Sequence, residues 1–264
     1  MFGLFAAFAL IGAALWQGPP ETPARGLAVA FVFVGWVISL CLHELGHALA
    51  AYLGGDDSVV GAGYLTLDPR RYSHPFLSVV LPVLFLLIGG LGLPGGAVYL
   101  QHSRLRGRHW RSLVAAAGPA ATALCLVLLA LPFLLGWHER FGAGHAVFWQ
   151  ACAALAFLQV TALLFNLLPV PTLDGFGIVE PLLPPDVAYR AYQHSQLCFW
   201  GIILLFMFTP VGAVFFFHAY ELAATLNLPA LLIGQGMDLV RFRGGDTAAT
   251  WSPDDHDLGK ESAD

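Results

Sequence analysis

The sequence predicts an all-α polytopic membrane protein of about six transmembrane helices, with a re-entrant or bent segment at 76–100 and a short β-hairpin near 56–68. Three observations lead there. Only 11% of the 264 residues are charged and 58% are hydrophobic, whereas an ordinary soluble domain is roughly a quarter charged. Several uncharged runs reach the roughly 20 residues that a helix needs to cross the hydrocarbon core. A few of the connections between them are dense in residues that break helices or favour turns.

The first run, "MFGLFAAFALIGAALWQ", lacks the basic start and the cleavage site of a signal peptide, so it reads as a short membrane helix near 2–17. Further spans follow at 27–53, 112–136, 146–168 and 197–217, with another helix near 219–236. The run 76–100 is long enough to cross, but it carries Pro82, Gly89, Gly90, Gly92, Pro94, Gly95 and Gly96, which argues against one continuous helix. In "VVGAGYLTLD", Leu65 and Leu67 alternate with Tyr64 and Thr66. That alternation predicts a strand, either an edge that pairs with an extended chain or a plain surface hairpin. Arg104, Arg106, Arg108 and Arg111 crowd one short connection, which the positive-inside rule places in the cytoplasm. Residues 1–240 are expected to form a single membrane-embedded domain with its core at 27–185, followed by a disordered acidic cytoplasmic tail at 241–264. Cys41, Cys125, Cys152 and Cys198 show no CxxC spacing, so neither a thiolate metal site nor a disulfide framework is indicated.

The stretch "CLHELGHALAAYLGG" sets ionisable groups into one of these apolar helices, where a central charge costs on the order of 3 kcal/mol on insertion scales. His43 and His47 are four apart, so on a helix they share a face and can offer two imidazole nitrogens to one metal ion. Glu44, beside the first histidine, can take a proton from a water held by that metal. Histidines that merely hydrogen-bond between helices are the plainer reading, and they leave the glutamate unexplained.

A catalytic zinc ion takes three protein ligands and keeps a fourth position open. In "FNLLPVPTLDGFG", Asp174 sits among Pro169, Pro171 and Gly175, which end the preceding helix. Irregular backbone at membrane depth is tolerated where it lines a cavity, although Asp-Gly is also an ordinary turn pair. Glu180, six residues on, is the alternative carboxylate. Asn166, near the end of the preceding helix, either hydrogen-bonds a substrate or holds a neighbouring backbone.

Taken together, HELGH within a membrane helix and "NLLPVPTLDG" over a hundred residues later resemble the site-2 protease family of intramembrane zinc metalloproteases, whose pattern is HExxH plus N-x-x-P-x-P-x-x-D-G. The resemblance covers roughly residues 27–185. It implies that His43, His47 and Asp174 bind one Zn2+ ion, that Glu44 is the catalytic base, and that the substrate is a transmembrane protein cut in or near its membrane helix. It also touches "AAAGPAATAL", similar to the family's A-G-P-x-x-N element, except that Thr122 stands where asparagine is usual. The partners implied are that substrate and the lipid bilayer, with no nucleic acid. The location implied is the plasma (inner) membrane of a prokaryote.

Geometry then constrains topology. For Asp174 to reach His43 and His47, the helices 27–53 and 146–168 must run parallel. One full crossing by 112–136 satisfies this only if 76–100 dips in and returns. The same arrangement puts the active site near the cytoplasmic side, with the arginine-rich connection. A membrane metal-ion transporter is the competing reading, because it too needs His and Asp at depth. It also needs polar groups along a conduction path, and helices 112–136 and 146–168 carry no ionisable side chain except cysteine.

Overall fold

The computed structural model describes residues 2–18, 21–67 and 104–241. The segment 76–100 expected to be re-entrant, and the acidic tail from 242 onward, lie outside them.

All regular structure among the described residues is helical. Helix α1 (Phe2–Trp16) leads into α2 (Glu21–Gly54), whose only proline, Pro23, falls in its first turn, where a missing N–H is harmless. A short turn of helix α3 (Ser58–Gly61) and a 3-10 turn (Tyr64–Thr66) follow. After them come α4 (Arg108–Leu134), α5 (Trp137–Arg140), α6 (Ala146–Asn166) and α7 (Asp174–Val179), then a 3-10 turn at Glu180–Leu182. Helices α8 (Pro185–Gln193), α9 (Ser195–Phe208), α10 (Val211–Thr225) and α11 (Ala230–Val240) complete the described chain.

Three helices are long and apolar enough to cross a membrane, namely Ala24–Gly54 within α2, α4 and α6. The bent pair formed by α9 and α10 makes a fourth only if counted as one broken span. The expectation of about six is therefore corrected. At 15 residues, α1 is about 22 Å long, short of a hydrocarbon core of about 30 Å. The run 197–217, expected as one span, is broken at Thr209 and Pro210 and bent by 80°. Pro210 cannot continue the hydrogen-bond ladder of α9. The helix expected at 219–236 is interrupted by Asn227, whose φ of 57° is left-handed, and by Pro229.

The expected β-hairpin near 56–68 is also absent, because local hydrogen bonds take the backbone another way. The Asp56 carboxylate accepts from the backbone N–H of Ser58, and Ala62 donates to the Ser58 carbonyl, winding α3. Gly63, at φ 76°, then turns the chain so that Thr66 N–H bonds the Gly63 carbonyl. Alternation over four residues carries less weight than turn chemistry from Asp, Ser and Gly at fixed offsets.

Helix α6 is the centre of the bundle. Ala151, Ala153, Ala154 and Ala156 are all fully buried, and small side chains let helices approach closely where no water drives them together. Helices α2, α4, α10 and α11 pack against it, with Phe31, Trp36, Phe133, Trp149 and Leu158 filling the core. Phe31 meets Phe148, Gly35 meets Leu155, and His43 shares a cavity with Asn166. Residue numbers thus rise together along α2 and α6, so these helices are parallel. Helix α4 runs the other way: His43 meets Thr122, His47 meets Val114, and Gly54 meets Trp110. This is the relative direction that the two motifs require.

Candidate metal centre

The site is built where α2, α4 and the start of α7 converge. The four-residue spacing of His43 and His47 sets their rings edge to face on the side of α2 turned toward α4, with ring centres 4.7 Å apart. Close approach of the two helices is what lets α4 hold them. A Cβ on Gly46 would lie 2.5 Å from the Ala117 carbonyl oxygen, so the helices touch backbone to backbone there. Gly118 does the same for the rings: a Cβ at that position would strike His47 Nε2 and lie 2.7 Å from His43 Nε2. Pro119, the next residue, removes the N–H that would bond the Ala115 carbonyl and loosens α4 at this level.

Each ring is fixed from behind. His47 Nδ1 is 2.7 Å from the Val114 carbonyl oxygen, which can only accept, so Nδ1 carries the proton and Nε2 presents a lone pair. His43 Nδ1 is 2.9 Å from Thr122 Oγ1. The two Nε2 atoms face each other at 3.1 Å.

The third group arrives from a tight, irregular loop. Val170 and Leu173 donate to the carbonyls of Leu168 and Val170, and Thr172 is held at φ 92°, unusual for a β-branched residue. Helix α7 begins at Asp174, whose side chain is 22% exposed. Asp174 Oδ2 is 3.2 Å from His43 Nε2 and Oδ1 is 3.3 Å from His47 Nε2, while Oδ2 is buried without a hydrogen bond. A positive charge at this point is what the arrangement favours.

These residues fit a zinc ion. Tetrahedral bonds of about 2.0–2.1 Å put neighbouring ligand atoms roughly 3.3–3.4 Å apart, and the separations here are 3.1, 3.2 and 3.3 Å. With both Nε2 atoms unprotonated, two facing imidazole lone pairs and an orphaned carboxylate oxygen repel one another unless a cation lies between them. His43, His47 and Asp174 form the one such group among the described residues.

Of the other residues singled out in the sequence, Glu44 is 3% exposed and sits beside the pair on α2. Glu180 is not brought to the group; it pairs with Arg111 at 3.4 Å, beside the Ser112 hydroxyl that donates to the Ile178 carbonyl. Asn166 is buried and faces a small cavity next to His43. Sequence reasoning missed Gly118, the Val114 carbonyl and Gln159, and noted Thr122 only as a departure. Gln159 carried a signal, since it is a buried polar residue seven before Asn166 on the same face of an otherwise apolar helix.

No family model matches the chain, and no solved structure matches it. Curated relatives do. A protein of Mycobacterium tuberculosis, provisionally named zinc metalloprotease Rip2, is 43% identical over 243 residues, spanning 91% of this chain and 92% of its own length. Its namesake in Mycolicibacterium smegmatis is 45% identical over 215 residues, 80% of each chain. A Bacillus subtilis protein, provisionally named zinc metalloprotease YwhC, is 32% identical over 191 residues, 69% of this chain and 82% of its own.

Proposed function

The chain belongs to the site-2 protease family of zinc metalloproteases, and on that premise we propose that it hydrolyses peptide bonds in or beside the transmembrane helices of other membrane proteins. It is a membrane zinc metalloprotease. His43, His47 and Asp174 hold the zinc ion in this reading, and Glu44 is the general base. The observation that carries it is the convergence of two Nε2 atoms and an unpaired Asp174 oxygen at separations that suit tetrahedral ligation. The transporter reading finds no support, since the relatives are named as metalloproteases.

When bound, zinc lowers the pKa of water toward about 7 and polarises a scissile carbonyl. The chain's own residues supply the rest. The Val114 carbonyl fixes the tautomer of His47 and Thr122 holds the His43 ring in place, so that both Nε2 atoms stay aimed at a common point. Glu44 accepts the proton of the attacking water and returns it to the departing amide nitrogen. A peptide bond inside a helix is hidden by its own hydrogen bonds, so the substrate helix unwinds locally before it is cut. Asp174, the most exposed of the three ligands, marks the side from which water reaches the group. The site lies at the end of the bundle that holds the arginine-rich connection, where Arg104 pairs with Asp57 and Arg111 with Glu180. The positive-inside rule puts that end at the cytoplasmic face of a bacterial plasma membrane.

The test is a metal assay on purified wild type and Glu44→Gln, paired with cleavage of membrane-helix substrates. One zinc per chain in both, with cleavage lost only in the variant, is expected. Undiminished cleavage by Glu44→Gln overturns the assignment of the base, and wild type that takes up no zinc overturns the reading as a whole.

A further inference from the structure

Behind His43, on the side away from Asp174, α2, α4 and α6 enclose a cavity of about 20 Å³. Its polar lining comes from Trp36, Ser39, His43, Thr122, Gln159 and Asn166. Two donors there, Trp36 Nε1 and Gln159 Nε2, are buried without a hydrogen-bond partner, in side chains 5% and 1% exposed. Unpaired donors at membrane depth are costly, because no bulk water is there to satisfy them. One water molecule needs roughly 10–15 Å³ and two to four polar partners, and this cavity offers both. Ser39 is otherwise engaged, donating to the Gly35 carbonyl.

We propose that this cavity binds one water molecule, and that the water and Thr122 together fix the ring of His43. The inference rests on the metal site described above. With Nε2 of His43 directed at the metal, Nδ1 bears the proton and donates to Thr122 Oγ1. The water's two lone pairs accept from Trp36 and Gln159. Its two hydrogens go to oxygens lining the cavity, Thr122 Oγ1 among them. Thr122 thereby receives hydrogen bonds from His43 and from the water, and its hydroxyl is held in one place by three helices. It is a positioning residue, acting on the metal through His43. An asparagine, usual at this place in the family the sequence resembles, also offers an oxygen to Nδ1. The threonine is shorter, and the water fills the difference.

The experiment is zinc competition against a chromophoric chelator, on full-length protein purified in detergent. Thr122→Val, nearly the same shape without the hydroxyl, is expected to weaken zinc by about 10–100-fold. Thr122→Ser keeps wild-type affinity, and thermal unfolding without metal shows each variant to be folded at the assay temperature. Gln159→Leu weakens zinc by about tenfold in wild type but adds nothing in the Thr122→Val background, because both act through one relay. Should Thr122→Val fail to accumulate, Trp36→Phe removes a donor to the same water and carries the same expectation as Gln159→Leu. Zinc held equally by wild type and Thr122→Val overturns the inference alone. So does a serine variant as weak as the valine one, or a Gln159→Leu loss of the same size in both backgrounds. Wild type that binds no zinc overturns this and the metalloprotease reading together.

Discussion

Replacing Gly118 by alanine asks whether the metal site depends on one missing methyl group. An added Cβ would strike His47 Nε2 and lie 2.7 Å from His43 Nε2, where carbon and nitrogen ordinarily rest about 3.5 Å or more apart. The His43 ring would have to retreat by roughly 0.8 Å and the His47 ring by more, several times the ±0.2 Å that metal–ligand distances tolerate. They are pinned from behind by Val114 and Thr122, so the rings cannot retreat without giving up those bonds. Losing such outer contacts costs about 10–100-fold in metal affinity, and displacing both ligands costs at least the upper end of that range. Intrinsic propensity acts the other way, since alanine stabilises a helix interior by up to about 1 kcal/mol over glycine. That gain offsets only part of the cost of crowding the rings, so the expected result is a protein that still folds without metal, with zinc weakened about 100-fold or more in chelator competition. Wild-type zinc affinity in Gly118→Ala would refute the geometry on which the site is built.

Asp174→Asn should lose zinc by metal analysis, while Glu180→Gln keeps it, because Glu180 faces Arg111 instead of the histidines. Thr172→Gly should raise the unfolding temperature: relief of the strain at φ 92°, about 1–3 kcal/mol, exceeds the added chain entropy of about 0.4–1 kcal/mol. An unchanged or lower temperature would show that the loop carries no strain there. Arg111→Gln leaves buried Glu180 unpaired and should cost about 1–3 kcal/mol. Arg104→Gln breaks an exposed pair worth at most about 1 kcal/mol. Thermal unfolding of the two variants side by side checks the order.

The donor set was legible because its chemistry is costly. An intramembrane His-Glu-His cluster demands a partner, and an aspartate in a proline-bounded loop could supply one. The parallel run of α2 and α6 followed from that demand. What the sequence hid was decided by shape or by short-range backbone bonding. Gly118 reads as one small residue among alanines, and only the approach of two rings makes it necessary. Val114 acts through its carbonyl, which side-chain identity does not announce. The run 197–217 had the length and hydropathy of a span, and a window average is blind to a single Thr-Pro break. The pattern at 64–67 was too short to prevail against an Asp-capped turn and a left-handed glycine.

The three candidate ligands differ in how they are anchored. Two are carried by a 34-residue helix buried in the bundle, and the third by a six-residue helix at the end of a strained loop. A zinc ion joining them ties Asp174 to a residue more than a hundred positions earlier, like a reversible cross-link. In the proposed reading, metal exchange requires only the loop from Pro169 to Asp174 to swing away, not the membrane helices to part. On that reading the lifetime of bound zinc follows the opening rate of that loop, and a change in the loop alone alters the sensitivity to chelators without touching the membrane core.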